Sequence, residues 1–435
     1  VTQGFWILDS GFWILDSAIL PRKGPPLSPK SNVALVACDS YDPVAVLNAC
    51  RKGIDLLGGP GTFARKGERI VLKPNILIPS HPDKCIVTHP SLIRAAALIF
   101  RETEAHISFG DSPGGGFIPT GLVLRQCGYA DLAKECSLAV ADFDHGRMID
   151  HPSGISSKKL LLARAVIESD GLISISKLKT HGLVRFTGAV KNQFGCVPGM
   201  TKGEYHARFP DVNDFAGMLA DITACVKPRL YIMDGIIAME GNGPQGGDPK
   251  KLGVLLFSTD PVAIDAVACR IIDLDPAFVP TCEAGRRAGL GSYAAGKITI
   301  VGDPIESFID KSFVAVRRPP VSVTPNKLIA LVKKMIIRRP FIRSGKCTKC
   351  GSCIKACPVD PKAIAWTKKA GRRPPAYRYQ SCIRCFCCQE MCPSGAIHIH
   401  TPLLGKLLPP LSFIVLLVVR KMARKEREEH SKSSG

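Results

Sequence analysis

Nine of the chain's 18 cysteines fall between Cys347 and Cys392, and their spacing is the strongest constraint in the sequence. Cys347, Cys350, Cys353 and Cys357 precede Pro358; Cys382, Cys385, Cys388 and Cys392 precede Pro393. Each member of the second run lies 35 residues after its counterpart. Thiolates at this spacing wrap a cubane iron–sulfur cluster, and the fourth cysteine of each run ordinarily ligates the other cluster. Two runs in register therefore predict two [4Fe-4S] clusters. Cys387 is spare beside Cys388 and reads as a bystander. The other nine cysteines are scattered from Cys38 to Cys282. No secretory signal is recognisable, so a disulfide framework is a poor reading. The expected compartment is a reducing cytoplasm.

The formal net charge of +21 suggests nucleic acid until it is located. Residues 317–435 carry 25 Lys/Arg against 5 Asp/Glu, whereas residues 1–316 carry 33 against 32. The excess belongs to the cysteine region and its flanks. No nucleic-acid-binding module accompanies it, which disfavours that partner. A basic face suits an acidic redox protein or an anionic membrane surface.

Residues 1–31 stand apart as a flexible or artefactual extension. The heptapeptide GFWILDS at 4–10 is repeated at 11–17, and the chain begins with Val1. An alternative start codon, a fragment or a misplaced start each accounts for that beginning. From residue 32 to 316 the pattern is α/β. Apolar runs at 33–37, 69–72, 106–109, 171–176, 230–233 and 253–257 read as strands, with a late edge strand at 297–301. Helical patterns at 43–57 and 90–101 alternate with them. This predicts a mostly parallel sheet flanked by helices. Asp260-Pro261 suits a helix start, with Asp260 as cap. Asp265 then lies among apolar residues, either facing solvent or paired with a lysine.

Polar residues recur just after the predicted strands, where open α/β sheets bind ligands. Lys73, Asp111, Lys177 and Asp234 are thereby expected to face one crevice. The densest polar stretch is 177–206, with Lys177, Lys179, His181, Lys191, Asn192, Lys202 and His206 among many glycines. Gathered lysines favour an anionic small molecule, and a desolvated lysine can act as a base. His181 and His206 suit acid–base roles better than metal ligation. Asn75, Glu240 and Asn242 complete the candidate set, the last two on a glycine-flanked turn able to orient a ligand.

Residues 317–343 form a basic amphipathic linker. Leu328, Leu331, Val332, Met335 and Ile336 keep helical spacing, with lysines and arginines off that face. Residues 402–435 are apolar, then charged. The cleanest apolar run, 413–419, is far short of the roughly 20 residues that span a bilayer. Peripheral contact with the inner face of a membrane is open to it.

Several motifs together resemble the bacterial and archaeal family called domain of unknown function 362. They are KPN at 73–75, GDSP at 110–113, KLKTH at 177–181 and GAVKNQFG at 188–195. PGMTKGEYH at 198–206, MEGNGP at 239–244 and DPVAID at 260–265 complete the set. Residues 344–401 resemble a bacterial two-cluster ferredoxin, a small α+β domain. That resemblance implies Cys347, Cys350, Cys353 and Cys392 on one cluster, and Cys382, Cys385, Cys388 and Cys357 on the other. The expected function is an iron–sulfur oxidoreductase or electron-transfer protein. Two alternatives stand beside it: a non-redox enzyme or anion-binding protein with structural or sensory clusters, and a pure electron carrier.

Overall fold

Two eleven-residue strands, Gly171–His181 and Leu230–Glu240, lie side by side in the middle of the fold. The computed structural model describes residues 30–114, 118–318, 337–367 and 373–402. The duplicated heptapeptide, the linker helix at 328–336 and the tail from 403 lie outside the described residues. The strands of the large unit are β1 (Ser31–Ala37), β2 (Arg69–Lys73), β3 (His106–Phe109), β4 (Ala139–Val140), β5 (Gly146–Asp150), β6 (Lys159–Ala163), β7 (Gly171–His181), β8 (Arg185–Thr187), β9 (Leu230–Glu240), β10 (Asp248–Ser258) and β11 (Ile298–Gly302). The main sheet runs β11-β1-β10-β9-β7-β2-β3-β4, with β8 folded back on β7. β9, β7, β2, β3 and β4 are mutually parallel, and so are β1 and β11. β10 runs against both of its neighbours. The sheet is therefore mostly parallel, with β5 and β6 forming a separate hairpin.

The central strands are near-continuous apolar runs because both faces are covered, as a helix-flanked sheet requires. Ala34, Val36, Ile173, Ile175, Leu255 and Phe257 join one core, beneath helices Pro43–Asp55 and Pro90–Arg101. Their neighbours Val33, Leu35, Leu172, Tyr231, Met233 and Leu256 join the opposite core. That core lies under helices Val212–Val226 and Pro261–Ile271. Period-two alternation thus sends adjacent side chains to different cores.

Asp260 accepts from the N–H groups of Val262 and Ala263, with Pro261 in the first turn, as the sequence led us to expect. Asp265 takes neither expected course. It is fully buried and accepts from Ala189 N (2.6 Å) and Val190 N (3.2 Å). It caps the short helix Ala189–Asn192, which carries Lys191 and Asn192. Gly188 is needed there, because a Cβ at that position would collide with the Asp265 carboxylate.

The second unit repeats itself. Helix Ser352–Lys355 in the first cysteine run has its counterpart in Cys387–Glu390. Lys349 and Arg384, equivalent positions before the second cysteine of each run, both hold positive φ. Strand Arg339–Ile342 pairs antiparallel with Ile397–His400, and Ile364–Ala365 with Ala376–Tyr377.

Burial raises the Asp265 carboxyl from 3.8 to about 7. A carboxyl raised in the folded state contributes stability that is fully present below about pH 4 and lost as pH rises through about 7. The denaturant midpoint should therefore fall across that window. Asp265→Asn should flatten this component, measured as the difference between the two pH profiles.

Candidate functional site between the sheet and the cysteine module

Buried charges pair between neighbouring parallel strands. Lys73 at the end of β2 meets Asp111, just beyond β3, at 2.8 Å, and both side chains are almost wholly buried. Lys177 of β7 meets Asp234 of β9 at 2.9 Å. Tyr41 joins the second pair, accepting from Lys177 Nζ and donating to Asp234. The four residues thus form two pairs rather than one open row of charges, and Lys177 and Asp234 lie within strands that run on to His181 and Glu240 rather than just after them. Asp111 also accepts from Ile76 N, tying the segment after Lys73 to the end of β3. Burial still pushes its carboxyl up, against the pull of Lys73.

Beside the Lys73–Asp111 pair lies a cavity of about 220 Å³. The α/β wall includes Asn75, Asp111, Ser112, Lys191, Asn192, Phe194, Lys202 and His206. The opposite wall comes from the cysteine module: Lys355, Cys357, Pro358, Lys362, Cys387, Glu390 and Met391. The loop GAVKNQFG supplies the floor. Its Gly195 lies so close to the buried pair that a Cβ would strike the Asp111 carboxylate and crowd Lys73 Nζ. Asn192 is locked by Ser174 Oγ, which accepts from its Nδ2 at 2.9 Å.

Several lining groups are left for a ligand. Asn75 Oδ1 and His206 Nδ1 are buried without a hydrogen-bond partner. The His206 ring stacks on Phe215 at 4.3 Å and meets Phe194 edge-on. Burial lowers His206 to about 4, so its imidazole is neutral near pH 7. Lys202 donates to Ser112 Oγ and Val197 O, and burial brings its ammonium down to about 7. The Lys191 ammonium sits 5.7 Å from the Phe194 ring centroid.

The other sequence candidates lie outside this lining. Lys179, also lowered to about 7 by burial, donates to Ile86 O. His181 Nδ1 accepts from Leu183 N and Val184 N, which puts its proton on Nε2. That nitrogen is 2.9 Å from Glu390 Oε1 in the module. Burial and the nearby Lys191 lower His181 to about 4. For Glu390 burial acts upward, but His181 and Lys191 prevail and hold its carboxyl well below the usual range.

Glu240 and Asn242 belong to the docking turn rather than to the cavity wall. Glu240 accepts from Val314 N. Asn242 Nδ2 donates to Ile397 O, while Gln389 donates to the carbonyls of Asn242 and Gly243. Gln245 donates to Cys392 O. Thr180 Oγ1 pins the same turn to β7 through Gly241 O and Gly243 N. The sequence reading missed Glu390, Gln389, Gln245, Lys355 and Lys362. Glu390, Gln389 and Gln245 reach across the two units, Lys355 and Lys362 line the shared cavity, and no local spacing announces such placements.

The cysteines suit a multi-iron group. Cys347, Cys350, Cys353 and Cys392 line one small cavity. Burial, then the neighbouring thiols, push Cys353 up to about 12. Cys388 is driven well up by burial and by Cys385 and Cys382. Iron relieves such crowding by taking the sulfurs as thiolates. Among the described residues no three His, Cys, Asp or Glu side chains converge as a single metal ion requires. A cubane, ligated at separate corners, does not need that convergence. A hydrogen bond donated by the Cys387 thiol lowers Cys385.

The thylakoid-associated protein sll1697 of Synechocystis sp. is 36% identical to this chain over 280 residues, covering 64% of this chain and 86% of that protein. The family model described as domain of unknown function (DUF362) matches residues 70–270. The chain belongs to the DUF362 family. A 4Fe-4S dicluster domain matches residues 325–396, so this DUF362 protein is an iron–sulfur protein of the 4Fe-4S class. Among solved structures it is similar to the lactate racemase apoprotein of Thermoanaerobacterium thermosaccharolyticum. That match has 11% identity and a TM-score of 0.38, covering 56% of each chain. A Thermotoga maritima protein matches at 11% identity and TM-score 0.32, covering 58% of this chain and 60% of that one. Both solved chains are thus spanned over little more than half their length.

Asp111→Ala would leave the Lys73 charge buried without a counter-charge, at a cost of about 3–5 kcal/mol. Gly195→Ala should destabilise in the same direction by forcing the pair apart. Urea unfolding of both variants against the parent checks this.

Proposed function

We propose that this DUF362 protein is an oxidoreductase that couples one-electron transfer to chemistry on a small anionic molecule in the inter-unit cavity. One observation carries the reading. Cys357, from the first cysteine run, lines the same cavity as Lys191, Lys202 and His206. In this proposal Cys347, Cys350, Cys353 and Cys392 hold one [4Fe-4S] cluster, and Cys382, Cys385, Cys388 and Cys357 hold a second. When bound, these clusters supply or accept single electrons, at potentials across families of roughly −700 to +450 mV.

The chain's own residues supply the rest. Lys191 and Lys202 attract the anion, with Lys355 and Lys362 on the facing wall. Asn75 Oδ1 accepts a hydrogen bond from the ligand. Lys202 Nζ, poised to change protonation near pH 7, moves the proton that accompanies the electron, while the neutral His206 offers its unpartnered Nδ1 as a hydrogen-bonding group. Ala363 N donates to Cys357 Sγ at 3.4 Å, and Ala396 N to Cys392 Sγ at 3.3 Å. Donors at these sulfurs favour the more negative, reduced state. A pure electron carrier gains nothing from buried, unpartnered ligand-binding groups, and a non-redox enzyme gains nothing from a cysteine ligand in the cavity wall.

Cytoplasmic placement with peripheral contact at the inner face of a membrane, through the tail from 403, belongs to the same proposal. The relative named thylakoid-associated supports it. Among the described residues no helix is long and apolar enough to cross a membrane.

Anaerobically purified protein should carry about eight irons per chain, the content of two cubanes. Cys382→Ala should lose about half, with its own electron paramagnetic resonance signal. Full turnover of an identified ligand by iron-free protein would sink the redox reading.

The pH response is set by Lys202. Its ammonium form predominates below about pH 7. Affinity for a carboxylate recovered from the purified protein should be greatest there, and weaken by up to about tenfold per pH unit above it. Calorimetric titration of the parent and of Lys202→Met, which should lose this slope, provides the check.

A further inference from the structure

The module's cysteines differ in exposure and in surroundings. Cys357 is buried and faces the cavity. Cys350 is the one exposed cysteine of the chain. Close to it in the chain, Arg343, Lys346 and Lys349 are all exposed, as is Thr348. Among the described residues of 337–402, ten Lys/Arg stand against two acids, Asp360 and Glu390. Glu390 is turned inward against His181, so Asp360 alone offsets the module's outer charge. The charge is not matched internally either: among the described residues Arg343, Lys346 and Lys349 have no carboxylate within salt-bridge distance.

We infer that the exposed face around Cys350, framed by Arg343, Lys346 and Lys349, is the docking surface for an acidic one-electron carrier protein. The inference rests on the redox reading above and adds to it the place and chemistry of the partner. Charge complementarity selects that partner. A basic rim repels small cations and steers an acidic protein, raising its association rate in a salt-dependent way. The exposed thiolate ligand brings the partner's redox centre close without a conformational change. The step balances simply: the carrier loses one electron, the module gains it, and no bond is made or broken. Docking at Cys350 and delivery at Cys357 assign entry and use to different cysteines, one exposed and one on the cavity wall.

The test uses the full chain with its iron and an acidic [2Fe-2S] ferredoxin as probe. The double variant Arg343→Glu/Lys346→Glu alters neither a cysteine nor a cavity residue. Its iron content and resonance spectrum should match the parent. Calorimetry between the oxidised proteins at low salt should show binding weakened at least tenfold in the variant. The parent's affinity should fall steeply with added salt. In stopped flow, reduction by the ferredoxin should slow to a similar degree, while reduction by methyl viologen radical cation should be unchanged or faster. Equal binding and equal rates for parent and variant overturn the docking surface and leave the redox reading standing. Failure of both reductants to bleach the loaded parent overturns the redox reading, and the docking surface with it.

Discussion

A buried ammonium keeps its charge most readily beside a buried carboxylate, and the Lys73–Asp111 pair meets that condition next to the cavity. Much of the site follows from it. Asp111 holds Ile76 N, which sets the path carrying Asn75 and Ile76 past the cavity. The space taken by the pair forces Gly195 to be a glycine. The loop so constrained returns Lys191 and Asn192 to the strand ends, and Asp265 fixes its other end from beneath. Two buried carboxylates thus constrain one short segment, Asp265 at its helical start and Asp111 at Gly195.

The second constraint is the union of the two units. The turn around Asn242 is bonded on one side to Thr180 and on the other to Gln389 and Ile397. His181 reaches the same helix of the module through Glu390. These contacts are short, polar and mostly buried, so a small displacement leaves donors unsatisfied at a cost of about 1–3 kcal/mol each. The cavity between the units inherits its shape from that intolerance.

How much of this was legible in the sequence depends on the range of the interaction. Cysteine spacing, Asp260 before Pro261 and the apolar runs are local patterns, and each finds its place in the fold. The late edge strand is likewise local, and it appears at Ile298–Gly302. Asp265 was misread because its partners are backbone groups of a distant loop, which no residue type reveals. Lys177 and Lys73 look alike in sequence, yet one is enclosed by Asp234 and Tyr41 while the other backs the cavity. Glu390 was hidden among cysteines, and only the tertiary contact with His181 gives it meaning. Lysines and carboxylates beside the apolar runs were visible; which of them pair was decided by strand order.

The cavity has one wall from each unit, and that division makes it a thermodynamic coupling device. A molecule touching both walls binds well only while they are held together. By reciprocity, its binding must tighten their union by the same free energy. Occupancy of the cavity and integrity of the cysteine module are therefore two readings of one equilibrium. Damage at the cysteines is felt as lost affinity in a pocket largely built by the α/β sheet.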